Sequence, residues 1–206
     1  MSLISVLGKK WVLRKFNNED INFFKENFFL DTTVSKLLSI RGIPKNEVEL
    51  FLNPSLKNIL PNPNILKDMD TATDRAFNSI REGEPIGIFG DYDVDGASST
   101  ALLGNFFKEI KHKYEIYIPD RKTEGYGPTI KGLKKLIDLK TKLIFTVDCG
   151  TMSFEPIEYA NSIKTDIIVL DHHQSELKLP NAYSIVNPNR LDDKSNLNYL
   201  SAVGVC

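Results

Sequence analysis

The run Gly90-Asp91-Tyr92-Asp93-Val94-Asp95-Gly96 sets three carboxylates at alternate positions directly behind the apolar stretch Ile86–Phe89. Like charges held this close cost several kcal/mol at low effective dielectric unless a cation neutralises them. Oxygen-rich clusters suit hard divalent ions such as Mg²⁺ or Mn²⁺, so the chemistry on offer is metal binding at the carboxyl end of a strand. Gly96 allows a tight turn, and Ala97, Ser98 and Ser99 are expected to open a helix whose N–H groups favour anions. A metal cluster beside a helix N-terminus reads as phosphate chemistry, with Ser98 as a substrate contact. An EF-hand also opens with alternating acids and a glycine, but no glutamate stands where such a loop must close, and a strong helical pattern follows instead.

Two later segments repeat the arrangement. Leu143-Ile-Phe-Thr-Val-Asp148-Cys-Gly150 and Ile167-Ile-Val-Leu-Asp171-His172-His173 each run apolar residues straight into an acid. Short uninterrupted apolar runs are the mark of parallel strands covered by helices on both faces, and open α/β sheets hold their sites at the carboxyl ends of such strands. Asp91, Asp93, Asp95, Asp148, Asp171, His172 and His173 are therefore expected on one edge of one sheet. Neighbouring side chains on an extended segment point opposite ways, so one imidazole of the pair is expected to ligate metal while the other faces substrate.

The elements that must position these residues begin near Asp70. Asp70 is expected to cap a helix carrying Ala72, Ala76, Phe77 and Ile80 and ended by Gly83. Strands are predicted at Ile86–Gly90, Tyr114–Ile118, Leu143–Val147 and Ile167–Leu170. Between them lie helices at about Ser98–Lys111, buried through Leu102, Leu103, Phe106, Phe107 and Ile110, and at about Thr129–Leu139. A shorter helix begins near Ser153, and the segment after Ile118 reads as a glycine-rich loop. This alternation predicts an α/β fold with a mainly parallel sheet flanked by helices. Residues 1–68 differ: they are rich in Asn, Lys and Phe, carry four prolines from Pro44 to Pro63, and read as a small helical N-terminal region before a domain at 69–206. The cluster Phe23, Phe24, Phe28, Phe29 either packs internally or offers a stacking surface for bases.

At 206 residues, 41% hydrophobic and 26% charged, the chain is ordinary for a globular protein. Its net charge of −1 lacks the basic surplus of most nucleic-acid binders, although acids reserved for cations account for part of that balance. Two cysteines, one beside Asp148, and no apolar segment of membrane-spanning length point to a cytoplasmic protein.

Taken in order, Phe51-Leu-Asn-Pro-Ser-Leu56, Lys67-Asp-Met-Asp70, Gly90–Gly96, Ile118-Pro-Asp-Arg121 with Glu124-Gly-Tyr-Gly127, Thr146–Gly150, Leu170–Gln174, Val186-Asn-Pro-Asn189 and Ser201-Ala-Val-Gly-Val205 resemble the DHH phosphoesterases, a family named for the motif present here as Asp171-His172-His173. Within it the motifs are most similar to those of the single-strand-specific 5′ to 3′ DNA exonucleases. The resemblance implies two divalent ions, Mn²⁺ or Mg²⁺. Asp91, Asp93 and Asp148 would hold one, and Asp95, Asp148 and His172 the other. Asp148 would bridge, and two ions so placed activate a water and stabilise the leaving oxygen of a phosphodiester. His173 would meet the scissile phosphate, Asp171 would orient a histidine, Arg121 would clamp a phosphate, and Tyr126 would stack on a base or pack internally.

The implied substrate is single-stranded DNA in recombination and repair, the partners a single-strand-binding protein and a helicase, and the full-length state a monomer. The resemblance also implies a further acid and further domains after residue 206, so the 206 residues alone are expected to be inactive. The alternatives are a phosphodiesterase for short oligonucleotides or cyclic dinucleotides and a non-catalytic binding module. The segment Phe51–Met69 and the Glu124–Gly127 loop count against the first, and the intact acids against the second.

Overall fold

The computed structural model describes residues 3–206 and divides them into two compact units, the first ending at Pro61 and the second spanning Asn62–Cys206. In the first unit, strands β1 (Leu3–Ile4) and β2 (Lys10–Trp11) pair antiparallel. Helices α1 (Asn18–Phe28), α2 (Thr32–Arg41), α3 (Val48–Leu52) and α4 (Leu56–Ile59) follow. Asn17 and Asp31 cap α1 and α2 by accepting from backbone N–H groups of the first turn, as short polar side chains do at helix starts. Phe24, Leu38 and Val48 form the core of this unit, with Phe23 and Phe28 packed on them and Phe29 exposed. The aromatic cluster is thus mainly internal.

The second unit opens with a 3-10 turn (Pro63–Ile65) and helix α5 (Met69–Glu82), and strands and helices then largely alternate: β3 (Ile86–Gly90), α6 (Val94–Glu109), β4 (Tyr114–Tyr117), the single turn α7 (Arg121–Glu124), α8 (Ile130–Asp138), β5 (Leu143–Val147), α9 (Phe154–Ser162), β6 (Asp166–Leu170), β7 (Ser184–Val186) and the short α10 (Ala202–Val205). The strands form one all-parallel sheet in the order β4-β3-β5-β6-β7. Alternate residues of β3, β5 and β6 face opposite layers. Ile86, Ile88, Leu143, Phe145, Val147, Ile168 and Leu170 pack with Ala72, Phe107 and Val205, while Phe89, Ile144, Ile167 and Val169 pack with Leu133, Leu136, Ile157 and Ala160. This double coverage is why these strands are apolar apart from Thr146 in β5 and Asp166 at the start of β6. Among the described residues, no helix is long and apolar enough to cross a membrane.

Several boundaries differ from expectation. Helix α6 starts at Val94, not Ser98, because Asp93 is its cap and accepts from the N–H groups of Asp95 and Gly96 at 2.9 and 3.0 Å. Its inner face is made of Gly96, Ser99, Thr100, Gly104 and Phe107, whereas Leu102, Phe106 and Ile110 are 42–50% exposed. Small residues win that face because α6 lies so close to the chain it covers: a Cβ on Gly96 would stand 2.6 Å from the Asp91 carbonyl oxygen, and one on Gly90 2.0 Å from Thr100 Oγ1. Asp70 lies inside the first turn of α5, and the cap position belongs to Asp68. Asp68 instead accepts from Arg190, whose buried guanidinium also reaches Asp192 and the Ile185 carbonyl, tying the start of α5 to β7. Phe77 faces outward rather than into the core. The stretch after β4 contains α7, capped by Asp120, where a loop is predicted, and β7 has no counterpart in the sequence pattern.

Candidate metal centre

Consecutive elements turn away from each other at β3: its sequence neighbour β4 lies on one side and β5 on the other. Such a switch point leaves a crevice at the carboxyl ends of the two strands. The register is shared across the sheet, since Gly90 pairs with Val147, Val147 with Leu170, and Leu170 with Val186. One residue further along, four polar residues therefore stand in a row: Asp91, Asp148, Asp171 and Asn187. All four are buried.

Around this row Asp91, Asp93 and Asp148 each bring a carboxylate oxygen within 4.8 Å of the other two, and Asp148, His172 and His173 do the same with one ligand atom each. Asp148 belongs to both groups. It takes a left-handed backbone (φ 60°), which costs a residue other than glycine roughly 1–2 kcal/mol but which Asp and Asn tolerate best. Both of its carboxylate oxygens, and Oδ1 of Asp91, are buried without a hydrogen-bond partner in the protein. Buried carboxylate oxygens left without a proton donor are costly, and a divalent cation satisfies them directly. The carboxylates that dominate the donor set suit Mn²⁺ or Mg²⁺.

The histidines do not point opposite ways. They follow β6 on an irregular turn, with ring centroids 4.9 Å apart in an edge-to-face arrangement, and both look into the cluster. His172 Nε2 lies 3.3 Å from Asp148 Oδ1 and 3.5 Å from Asp95 Oδ2. His173 Nδ1 stands 2.8 Å from Asp171 Oδ1, which fixes the ring and leaves Nε2 with no carboxylate partner, 3.3 Å from the Tyr126 hydroxyl. Asp171 also accepts from the backbone N–H groups of His172, His173 and Thr151, at 2.7, 3.2 and 3.1 Å. Burial alone would raise the Asp171 carboxyl, but the hydrogen bonds from His173 and Thr151 outweigh it and hold it near about 2. The same bond to Asp171 raises His173.

Other expected contacts fall in different places. Arg121 is exposed at the start of α7, its guanidinium 5.1 Å from the centre of the Tyr92 ring, and so hangs beside the acid loop without joining it. Tyr126, 55% exposed, donates its hydroxyl to the Asp148 carbonyl at 3.2 Å and meets the His173 ring edge-on. Ser98 is exposed in α6, beyond the first turn. The anion cradle expected at Ala97–Ser99 is absent there, since the helix begins four residues earlier and Asp93 occupies its first free N–H groups.

Three supporting residues escape a sequence reading. Asn187 donates to Thr151 Oγ1 at 2.8 Å and to the His173 carbonyl at 2.9 Å, and Asn189 donates to the His172 carbonyl. Together with Thr151 they fix the histidine turn. The one available signal is the motif Val186–Asn189, whose first asparagine ends a strand in the same row as the acids.

The model of the DHH family, N-terminal domain, matches residues 85–206, more than half of the chain. The chain belongs to the DHH family. As a DHH protein it is 30% identical over 197 residues to the single-stranded-DNA-specific exonuclease RecJ of Bacillus subtilis (strain 168), a match covering 95% of this chain and 25% of that protein. A RecJ exonuclease crystallised with manganese matches with a TM-score of 0.62 and 28% identity, over 68% of this chain and 35% of that one. RecJ from Thermus thermophilus, in complex with Mn²⁺, matches in fold with a TM-score of 0.71 at 22% identity, over 94% of this chain and 26% of that one. The chain spans about a quarter of the length of the B. subtilis relative.

The electrostatics of this DHH site make metal binding depend on pH. Burial first, and then Asp93 and Asp95, push Asp148 up to about 8. In the metal-free fold it keeps a proton that the unfolded chain loses near pH 4, so stability falls as pH rises between those values. The bond that raises His173 is likewise complete below its ordinary pKa of about 6.5 and lost above its folded value. A bound cation replaces the proton on Asp148. The increase in melting temperature caused by Mn²⁺ is therefore expected to be larger at pH 8 than at pH 6, by up to about 1.4 kcal/mol of linked stability per pH unit. Calorimetric melts at the two pH values check this, and equal shifts would contradict it.

Proposed function

We propose that this DHH protein hydrolyses phosphodiester bonds with two divalent ions, removing nucleotides from the 5′ end of single-stranded DNA in recombination and repair. The observation that carries the reading is the set of orphaned carboxylate oxygens on Asp91 and Asp148 at the switch point, facing two histidines. In this reading Asp91, Asp93 and Asp148 hold one ion, and Asp95, Asp148 and His172 hold the second. When bound, such ions supply an activated water and neutralise charge on the leaving oxygen.

The chain's own groups do the rest. His173, aimed by Asp171 and edged by Tyr126, presents Nε2 as a donor where charge grows on the phosphate oxygens. Its Nδ1–H stays on Asp171, so the proton that moves is the one on Nε2. Arg121, stacked on Tyr92, is free to grip a neighbouring phosphate with its planar fork. Residues 69–206 carry the chemistry, with 1–68 as an accessory helical region. The setting that fits the reading is a cytoplasmic monomer working beside a single-strand-binding protein and a helicase.

A single-stranded oligonucleotide labelled on its 5′ phosphate and given to the full-length enzyme tests this. With Mn²⁺ the expected first product is the labelled mononucleotide, while a duplex of the same sequence stays intact. A ladder of shortening 5′-labelled strands, or equal loss of the duplex, would overturn the reading.

A further inference from the structure

Asp95 does something that its place in the acid motif does not call for. Its Oδ2 accepts from the backbone N–H of Ala202 at 2.7 Å and its Oδ1 from that of Val203 at 2.9 Å. These are the first two residues of α10, and the residue ahead of them, Ser201, makes no side-chain cap. Asp95 is thus the cap of a helix that lies 107 positions further along the chain. The same carboxylate faces His172 Nε2 at 3.5 Å, beside Asp148. A carboxylate has about four acceptor directions, so two N–H donors leave room for one ion. What they remove is freedom: a carboxylate held by two donors has its remaining lone pairs aimed in advance.

We propose that the Ala202 and Val203 N–H groups are positioning groups for the second metal ion, holding the Asp95 carboxylate toward His172 and Asp148. Ion binding and anchoring of the segment Ser201–Cys206 are then one linked event. The motif Ser201-Ala-Val-Gly-Val205 acquires a role through its backbone rather than its side chains, which is why it is built of small and apolar residues. Ala202 and Val205 are buried against the domain, and Val205 packs in the same core layer as Phe107 of α6. Linkage is reciprocal: whatever factor the anchored segment adds to affinity for the second ion, the ion adds to the anchoring.

The inference rests on the two-ion reading, and the test separates them. Ala202→Pro deletes one donor at the first helical position, where proline's backbone is otherwise favoured. Groups that orient a metal ligand are worth about 10–100-fold in affinity, so Mn²⁺ titration calorimetry should show the second ion weakened by at least about 10-fold, with the first little changed. In the unsubstituted protein, hydrogen exchange at the Ala202 and Val203 amides should slow by a similar factor when Mn²⁺ is added. In Asp95→Ala those amides should exchange fast with or without Mn²⁺. Should Ala202→Pro fail to fold, the exchange measurements decide alone. Two ions bound by the unsubstituted protein, with exchange at both amides indifferent to Mn²⁺ and to Asp95, would overturn the inference and leave the two-ion reading standing. A single ion bound at saturation would remove both.

Discussion

In the full-length enzyme Asp148→Asn is expected to abolish hydrolysis while leaving the metal-free fold intact. Asp148 is 1% exposed, shared by both ligand groups, and has no proton donor for either oxygen. Asparagine offers one acceptor oxygen and turns an NH₂ toward the remaining acids, so it cannot serve two ions. Losing several kcal/mol of charge stabilisation corresponds to a fall in turnover of about 10³-fold or more. The fold should not suffer. Asparagine tolerates the left-handed backbone that Asp148 adopts, and it removes a buried acid that burial pushes up to about 8. Without ions, the melting temperature of the variant at pH 8 should equal or exceed that of the unsubstituted protein, and its Mn²⁺-induced increase should vanish. Turnover near the unsubstituted level at saturating Mn²⁺ would sink the assignment.

The two histidines should fail differently. His173→Ala removes a donor held on Asp171 through Nδ1, so turnover should fall by about 10²–10³-fold with Mn²⁺ affinity little changed. His172→Ala removes the imidazole that faces Asp95 and Asp148, so Mn²⁺ affinity should fall first and added Mn²⁺ should restore part of the activity. Calorimetric titration of both variants checks the distinction. Equal losses of affinity in the two would erase it.

The positions of the acids were legible because the strands that carry them are buried on both faces and end in the same register row, which leaves an uninterrupted apolar run broken by an acid each time. The start of α6 was not. An acid that caps a helix and an acid in a metal loop look alike in sequence, and Asp93 is both cap and candidate ligand. Leu102 and Phe106 misled for a related reason: apolar residues normally mark the buried face, yet the close approach of α6 to β3 reserves that face for Gly96, Ser99, Thr100 and Gly104. Strand β7, at three residues, is too short to show a period. The parts of the site that came only from the fold are those made by backbone groups or by amides, namely the Asn187 and Asn189 bonds to the histidine turn and the α10 N–H groups on Asp95. No local pattern announces such bonds, because their partners are joined by topology alone.

Anomalous scattering from crystals of the protein soaked in Mn²⁺ reads the central claim most directly. Two peaks are expected, both touching Asp148, one also bounded by Asp91 and Asp93 and the other by His172 and Asp95. A single peak, or a pair of peaks neither of which touches Asp148, would contradict it.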